Sequence, residues 1–207
     1  MSTATYSEYG IVVPSSEGTS SVSGTEYVQY TGNTSGATCD ANTGNWQGGT
    51  QSYHNMYIET GGWCVFPVLK YDISSALPSG KYAKSIEMEM PISLANSGNT
   101  GCSLYDISID PATTYQDNQS PQDMVEDMLS GNKYVTDDNF CTSTGTKTIT
   151  LNQQAVDDFN TALQNGQSWF AVGFYFDDLT KDALSSHKRV TYSSGSTNLN
   201  IDYGSGS

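Results

Sequence analysis

Apolar residues recur along this chain in two rhythms. The clearest stretch runs from Lys147 to Asp178. Within it Ala155, Val156, Phe159, Ala162 and Leu163 fall at i, i+1, i+4, i+7 and i+8. That single stripe predicts an amphipathic helix. Asn152 stands where an N-cap is needed. Asn165-Gly166 is a stop, since both residues tolerate a left-handed backbone. The apolar run Trp169–Phe176 that follows is too short for a second amphipathic helix and bulky enough for a buried strand. Phe170, Val172, Phe174 and Phe176 share one side of that strand, which is predicted to face the core.

Strict alternation marks other strands. Ser85 to Leu94 places Ile86, Met88, Met90, Ile92 and Leu94 inward and Glu87 and Glu89 outward. Trp63 to Ser74 puts Leu69, Tyr71 and Ile73 on one face, with Pro67 implying an edge or a bulge. Further strands are predicted at Glu26–Thr31, Cys102–Ile109, Lys188–Ser193 and Asn198–Tyr203. A second short helix is predicted over Pro121–Ser130. Ser120 is its cap, Met124, Val125, Met128 and Leu129 its stripe, and Gly131 its stop. Residues 32–62 show no strong period. Long crossovers between about eight to ten short strands favour an all-β, two-sheet sandwich with two short connecting helices.

The predicted organisation is one domain over residues 25–203. Before it stands a Ser/Thr-rich segment, 1–24, read as a tail or an edge strand. Its Ile11-Val12-Val13 patch is able to pair with another copy. Gly204-Ser205-Gly206-Ser207 reads as a linker remnant.

Charge narrows the partners. The chain has 22 acidic and 8 basic residues, a formal net charge of −14. Nucleic acid and anionic membrane surfaces are therefore excluded as expected partners, because both need Lys and Arg. No apolar run reaches membrane-spanning length, and MSTATYSEYG lacks the basic start and apolar core of a secretion signal. The first Lys or Arg is Lys70, and Ser, Thr, Gly, Asn and Tyr dominate before it. That composition points to an extracellular or cell-surface protein. Cys39, Cys64, Cys102 and Cys141 form no CxxC pair, so two disulfides in an oxidising compartment are expected. Three connectivities are open. Cys39–Cys64 with Cys102–Cys141 is favoured, because sequential pairs staple the two long loops.

Candidate chemistry is sparse. His54 and His187 are far apart, and no catalytic motif occurs. Glu87/Glu89, Asp157/Asp158 and Asp177/Asp178 are carboxylate pairs of the kind glycoside hydrolysis uses, but each is equally a solvated face. No enzyme activity and no catalytic residue are expected. Trp46, Tyr53, His54, Tyr57 and Trp63 lie in or beside a Gly/Asn-rich stretch with Gln47, Gln51 and Asn55. Aromatic faces stack on sugar rings and amides satisfy hydroxyls, so these five are the candidate ligand-binding residues. No cofactor is expected beyond, at most, a structural calcium. Asp40, Asn42 and Asn45, Asp137 to Asn139, or Asp177, Asp178 and Asp182 are its candidate ligands. Asn33 and Asn118 fit the glycosylation sequon, as chance allows in so Asn/Ser-rich a chain.

The order of the motifs resembles a known family. L-K-Y-D-I-S (69–74) is followed by L-P-S-G (77–80) and, after Ala83-Lys-Ser, by I-x-M-x-M. Then come T-I-T-L-N, V-x-x-F-N, L-Q-N-G and F-A-V-G-F-Y-F, and finally V-T-Y-S-S-G-S and L-N-I-D-Y. Over residues 25–203 this is similar to the DNRLRE-type β-sandwich domains of secreted bacterial and archaeal proteins, which are close to disaggregatase-associated and alginate-binding carbohydrate modules. Lys70 stands where Arg is more usual, and residues 110–145 lack the family's Trp-rich stretch. The resemblance implies a non-catalytic, jelly-roll-like sandwich that binds polysaccharide on or near a cell surface. The alternative is a structural or adhesive subunit of a surface layer, stalk or filament. Its partners would be neighbouring copies or domains, joined by strand donation from the N-terminal segment.

Overall fold

The computed structural model describes residues 17–32, 45–49, 54–58, 64–96, 101–114, 120–177, 188–192 and 197–205. They form eleven strands: β1 (Gly18–Gly32), β2 (Asn45–Gly49), β3 (His54–Ile58), β4 (Cys64–Asp72), β5 (Lys81–Ala95), β6 (Cys102–Asp106), β7 (Lys133–Asp138), β8 (Gly145–Thr150), β9 (Trp169–Phe176), β10 (Lys188–Tyr192) and β11 (Asn198–Ser205). The described residues hold three helices where two were predicted: α1 (Pro111–Thr114), α2 (Ser120–Ser130) and α3 (Gln153–Gln164). A 3₁₀ turn spans Asn139–Thr142. No helix among the described residues is long and apolar enough to cross a membrane.

Every strand pairing is antiparallel. The order is β2-β1-β11-β5-β10-β3-β4-β9-β6-β7, with β8 on the free side of β5, and β1 also pairs with β4. That extra pairing joins β1, β11, β5, β10, β3 and β4 into a ring, so the sheet nearly closes on itself. β1 makes the junction. Its residues Gly18–Ser23 pair with β11, and Gly24–Thr31 pair with β4. The strand therefore begins well before Glu26, inside the segment read as a tail or an edge strand. Polar side chains hold this part: Ser21 and Ser23 donate to Asn200 and Asn198 directly across, each at 2.8 Å. β11 likewise continues through Gly204 and Ser205.

The core lies within the curl of the sheet. Leu69, Tyr71, Ile73, Ile86, Met88, Met90, Phe170, Val172, Phe174, Phe176, Leu199 and Ile201 are all buried. Two predicted inward residues are not: Leu94 and Leu129 are exposed. The register between β5 and β10 skips Ser93, with Tyr192 opposite Ile92 and Thr191 opposite Leu94. Such a bulge re-aims the residues beyond it. Pro67 is not in an edge strand. On the side of β4 away from β1, β3 pairs with Cys64 and Val65, and β9 takes over at Val68. Pro67 sits at the changeover, where its missing N–H breaks no pair.

α3 forms as its stripe and cap require. Asn152 Oδ1 accepts from the Ala155 N–H at 3.2 Å. At the other end Asn165 stays right-handed, and only Gly166 turns left-handed, at φ 70°. Gly166 N–H then bonds to Leu163 O and Gln167 N–H to Ala162 O, the paired closure of a Schellman motif. The buried side of α3 sets Phe159 edge-on to Phe170, with centroids 5.4 Å apart. On the second face of β9, Ala171 and Gly173 are buried and Trp169 and Tyr175 are half-buried; Met128 of α2 lies over Gly173, where a Cβ would come 2.5 Å from its Sδ. The disulfide Cys102–Cys141 ties β6 to the 3₁₀ turn.

Candidate functional site

The five predicted ligand-binding residues divide by position. Trp46 lies in β2, and His54 and Tyr57 lie in β3. Tyr53 and Trp63 fall outside the described residues. β2 pairs with β1, β1 with β4 and β4 with β3, so Trp46 and Tyr57 stand three strands apart. At the usual strand spacing that is roughly 14 Å. The N-terminal patch Ile11–Val13 also lies outside the described residues. So do Asp40 and Asn42, Asp178 and Asp182, and Asn33 and Asn118.

The sulfur chemistry is partly resolved. Cys102–Cys141 is one of the two expected disulfides. Cys64 is disulfide-bonded as well. Its expected partner, Cys39, is outside the described residues.

The carboxylate pairs do not assemble a cleft. Glu87 and Glu89 lie on β5 between β8 and β11, opposite Thr150 and Thr148 on one side and Asn200 and Asn198 on the other. Asp157 and Asp158 accept hydrogen bonds from Gln153 and Gln154, one helical turn back. Asp177 accepts from the buried Ser103 hydroxyl and lies 3.9 Å from the Lys133 ammonium. Among the described residues no group of three His, Cys, Asp or Glu side chains is placed to hold a metal ion.

An open groove occurs where α3 meets the turn between β4 and β5. It has a volume of about 250 Å³. The Leu-Pro-Ser-Gly turn read from the sequence forms one wall, closed by the Lys81 N–H bonding to Pro78 O at 3.1 Å. The other wall is α3, through Asn160, Leu163 and Gln164. Asn160 fixes the distance between the walls. Its Oδ1 accepts from the Ala83 N–H at 2.8 Å, and its Nδ2 donates to the Ala83 carbonyl at 3.0 Å. The amide thus pairs with the start of β5 as a neighbouring strand would. Beside it Tyr82 leaves 39% of its surface to solvent, and Lys81 Nζ reaches Ser205 Oγ at 3.0 Å. No carboxylate, imidazole or thiol lines the groove. It offers the Tyr82 ring, the Gln164 amide, the Ser79 hydroxyl and the Lys81 ammonium, which suits binding and provides no acid–base pair.

The groove was not visible in the sequence reading. Asn160 and Gln164 stood on the polar side of the α3 stripe, and Tyr82 was one residue in a turn-to-strand junction. Only the docking of α3 brings them together.

A second polar cluster lies deeper. Tyr134, buried in β7, has its hydroxyl 3.0 Å from Asp106 Oδ1 and 3.1 Å from Asp158 Oδ2. Asp127 is nearby on α2, accepting from the backbone N–H groups of Ser108 and Ile109. Elsewhere in the core the hydroxyls of Tyr71 and Tyr192 are buried. Burial raises the pKa of both, and for Tyr192 the neighbouring Tyr71 adds to it.

No family model matches the chain, and no curated protein matches it.

Proposed function

We propose that this chain is a non-catalytic extracellular module, a jelly-roll-like two-sheet sandwich, that binds polysaccharide in the groove between the Leu77–Tyr82 turn and α3. The single observation that carries the reading is the partly exposed ring of Tyr82 in a groove that also holds Ser79 and Gln164 and has no carboxylate, imidazole or thiol in its lining. An aromatic face that stacks on a sugar ring, flanked by amides that meet its hydroxyls, is how neutral glycans are held. The net charge of −14 disfavours a polyanionic polymer and leaves neutral polysaccharide as the better ligand. The disulfide Cys102–Cys141 suits an oxidising, extracellular setting. The motif order shared with DNRLRE-type domains supports the same class.

The test is a calorimetric titration against neutral and uronic-acid polysaccharides, with Tyr82→Ala alongside. Binding to a neutral glycan that Tyr82→Ala weakens at least tenfold, with an unchanged circular dichroism spectrum, is the expected result. Silence on every glycan, or a Tyr82→Ala titration that matches the parent, overturns it.

A further inference from the structure

The contacts of Tyr134 count one hydrogen against two acceptors. A phenol carries a single hydrogen. Its oxygen nevertheless stands 3.0 Å from Asp106 Oδ1 and 3.1 Å from Asp158 Oδ2. If both carboxyls were ionised, one of these contacts would set lone pairs against lone pairs in a partly buried place. It becomes a hydrogen bond when one carboxyl keeps its proton and donates to the phenol oxygen, which donates onward to the other.

The surroundings decide which carboxyl holds the proton. Asp158 also accepts from Gln154 Nε2 at 2.9 Å through its second oxygen. The Asp106 carboxyl accepts from the Ile107 backbone N–H, and it faces the carboxylates of both Asp158 and Asp127. Its backbone N–H is spent on Asn132 O. Each element packed around it adds negative charge or none. Asp158 approaches from α3 and Asp127 from α2. β9, which pairs Val172 with Asp106, carries no charged side chain. Lys133, at the start of β7, is turned to the Tyr105 ring and to Asp177.

We infer that Asp106 keeps a proton in the folded protein and that Asp106, Tyr134 and Asp158 form a proton-dependent clasp binding α3 to β6 and β7. The proton passes its hydrogen bond from the Asp106 carboxyl to Tyr134 Oη, and the Tyr134 hydroxyl passes the next to Asp158. Burial raises the Asp106 carboxyl above its ordinary 3.8, and the charges of Asp158 and Asp127 raise it further, against the lowering by hydrogen bonds from the Tyr134 hydroxyl and the Ile107 backbone N–H. The folded chain therefore binds this proton more tightly than the unfolded chain. The clasp is complete below the unfolded value and is lost as the pH rises through the raised folded value. It is a pH-sensitive anchor for the helix that forms one wall of the groove, and it stands independently of what the groove binds.

The test follows aspartate carboxyl ¹³C resonances of the full chain through a pH titration, assigned in the parent protein by through-bond correlation. Asp106 is expected to titrate clearly above 3.8. In Asp158→Asn its midpoint falls towards the ordinary value, because the facing charge is gone. In Asp106→Asn, whose amide supplies the donor permanently, denaturation midpoints lose the decline that the parent shows as pH rises across the Asp106 midpoint. An Asp106 midpoint at or below the ordinary value in the parent protein overturns the inference without any variant. So does an Asp158→Asn midpoint equal to the parent's, or an Asp106→Asn profile parallel to it.

Discussion

Asn160 grips the backbone of Ala83 from both sides, its amide oxygen accepting at 2.8 Å and its amide nitrogen donating at 3.0 Å, across 77 residues of chain. Ala83 is buried and Asn160 is half-buried. This one contact seats α3 against β5 and sets the width of the groove.

Asn160→Ala leaves a buried N–H and a buried carbonyl unpaired, which is expected to cost about 2–4 kcal/mol. Asn160→Asp keeps the acceptor and loses the donor, so it falls between the two. Urea denaturation of the three proteins checks the order. A loss below that of an ordinary surface substitution would show that α3 is seated by Phe159 and Val156 alone.

Gly173→Ala places a methyl 2.5 Å from Met128 Sδ and 2.9 Å from Ile107 Cδ1. Overpacking of this kind costs about 1–3 kcal/mol. Because Met128 is flexible, Met128→Ala combined with Gly173→Ala is expected to lose less than the sum of the single changes. A double-mutant cycle by denaturation measures that difference, and strict additivity would refute the contact.

Removing the disulfide by Cys102→Ser with Cys141→Ser frees a loop whose ends lie 39 residues apart. In the chain-entropy account that loop is worth about 4 kcal/mol. The expected outcome is a lower denaturation midpoint with native circular dichroism retained at low temperature. Non-reducing peptide mass mapping confirms the 102–141 link before the comparison is made.

Asn152→Ala removes two bonds at the start of α3. One is the cap to the Ala155 N–H, and the other is the Nδ2 bond to the Lys133 carbonyl at 2.7 Å. A loss of about 1–2 kcal/mol is expected. Asn152→Ser, which keeps a capping oxygen but cannot reach Lys133, recovers only part of it. Equal losses for the two variants would assign the whole effect to the Lys133 contact.

Features governed by neighbours in sequence were legible from the residues alone. Ala155, Val156, Phe159 and Ala162 are the buried stripe of α3, Asn152 is its cap, and Phe170, Val172, Phe174 and Phe176 are buried in β9. Helix periodicity, capping and strand alternation are local rules, and this chain obeys them there. Asp110-Pro111 is a local signal of the same kind. Asp110 Oδ1 accepts from the Ala112 N–H at 2.9 Å and starts α1. The Ser-rich start of β1 escaped notice because its strand is held by cross-strand Ser–Asn bonds, and periodicity detects only burial.

Contacts between distant residues were decided by the tertiary structure. Tyr134 meets Asp106 and Asp158 at sequence separations of 28 and 24, and Asn160 meets Ala83 at 77. Any polar residue on an exposed helix face looks the same in the chain. Whether it faces water, grips a backbone or shares a proton depends on which strand register and which docking of α3 bury the most apolar surface. That choice is made by the whole core at once, which is why local pattern predicted where the helix and strands lie but not which polar groups they bring face to face.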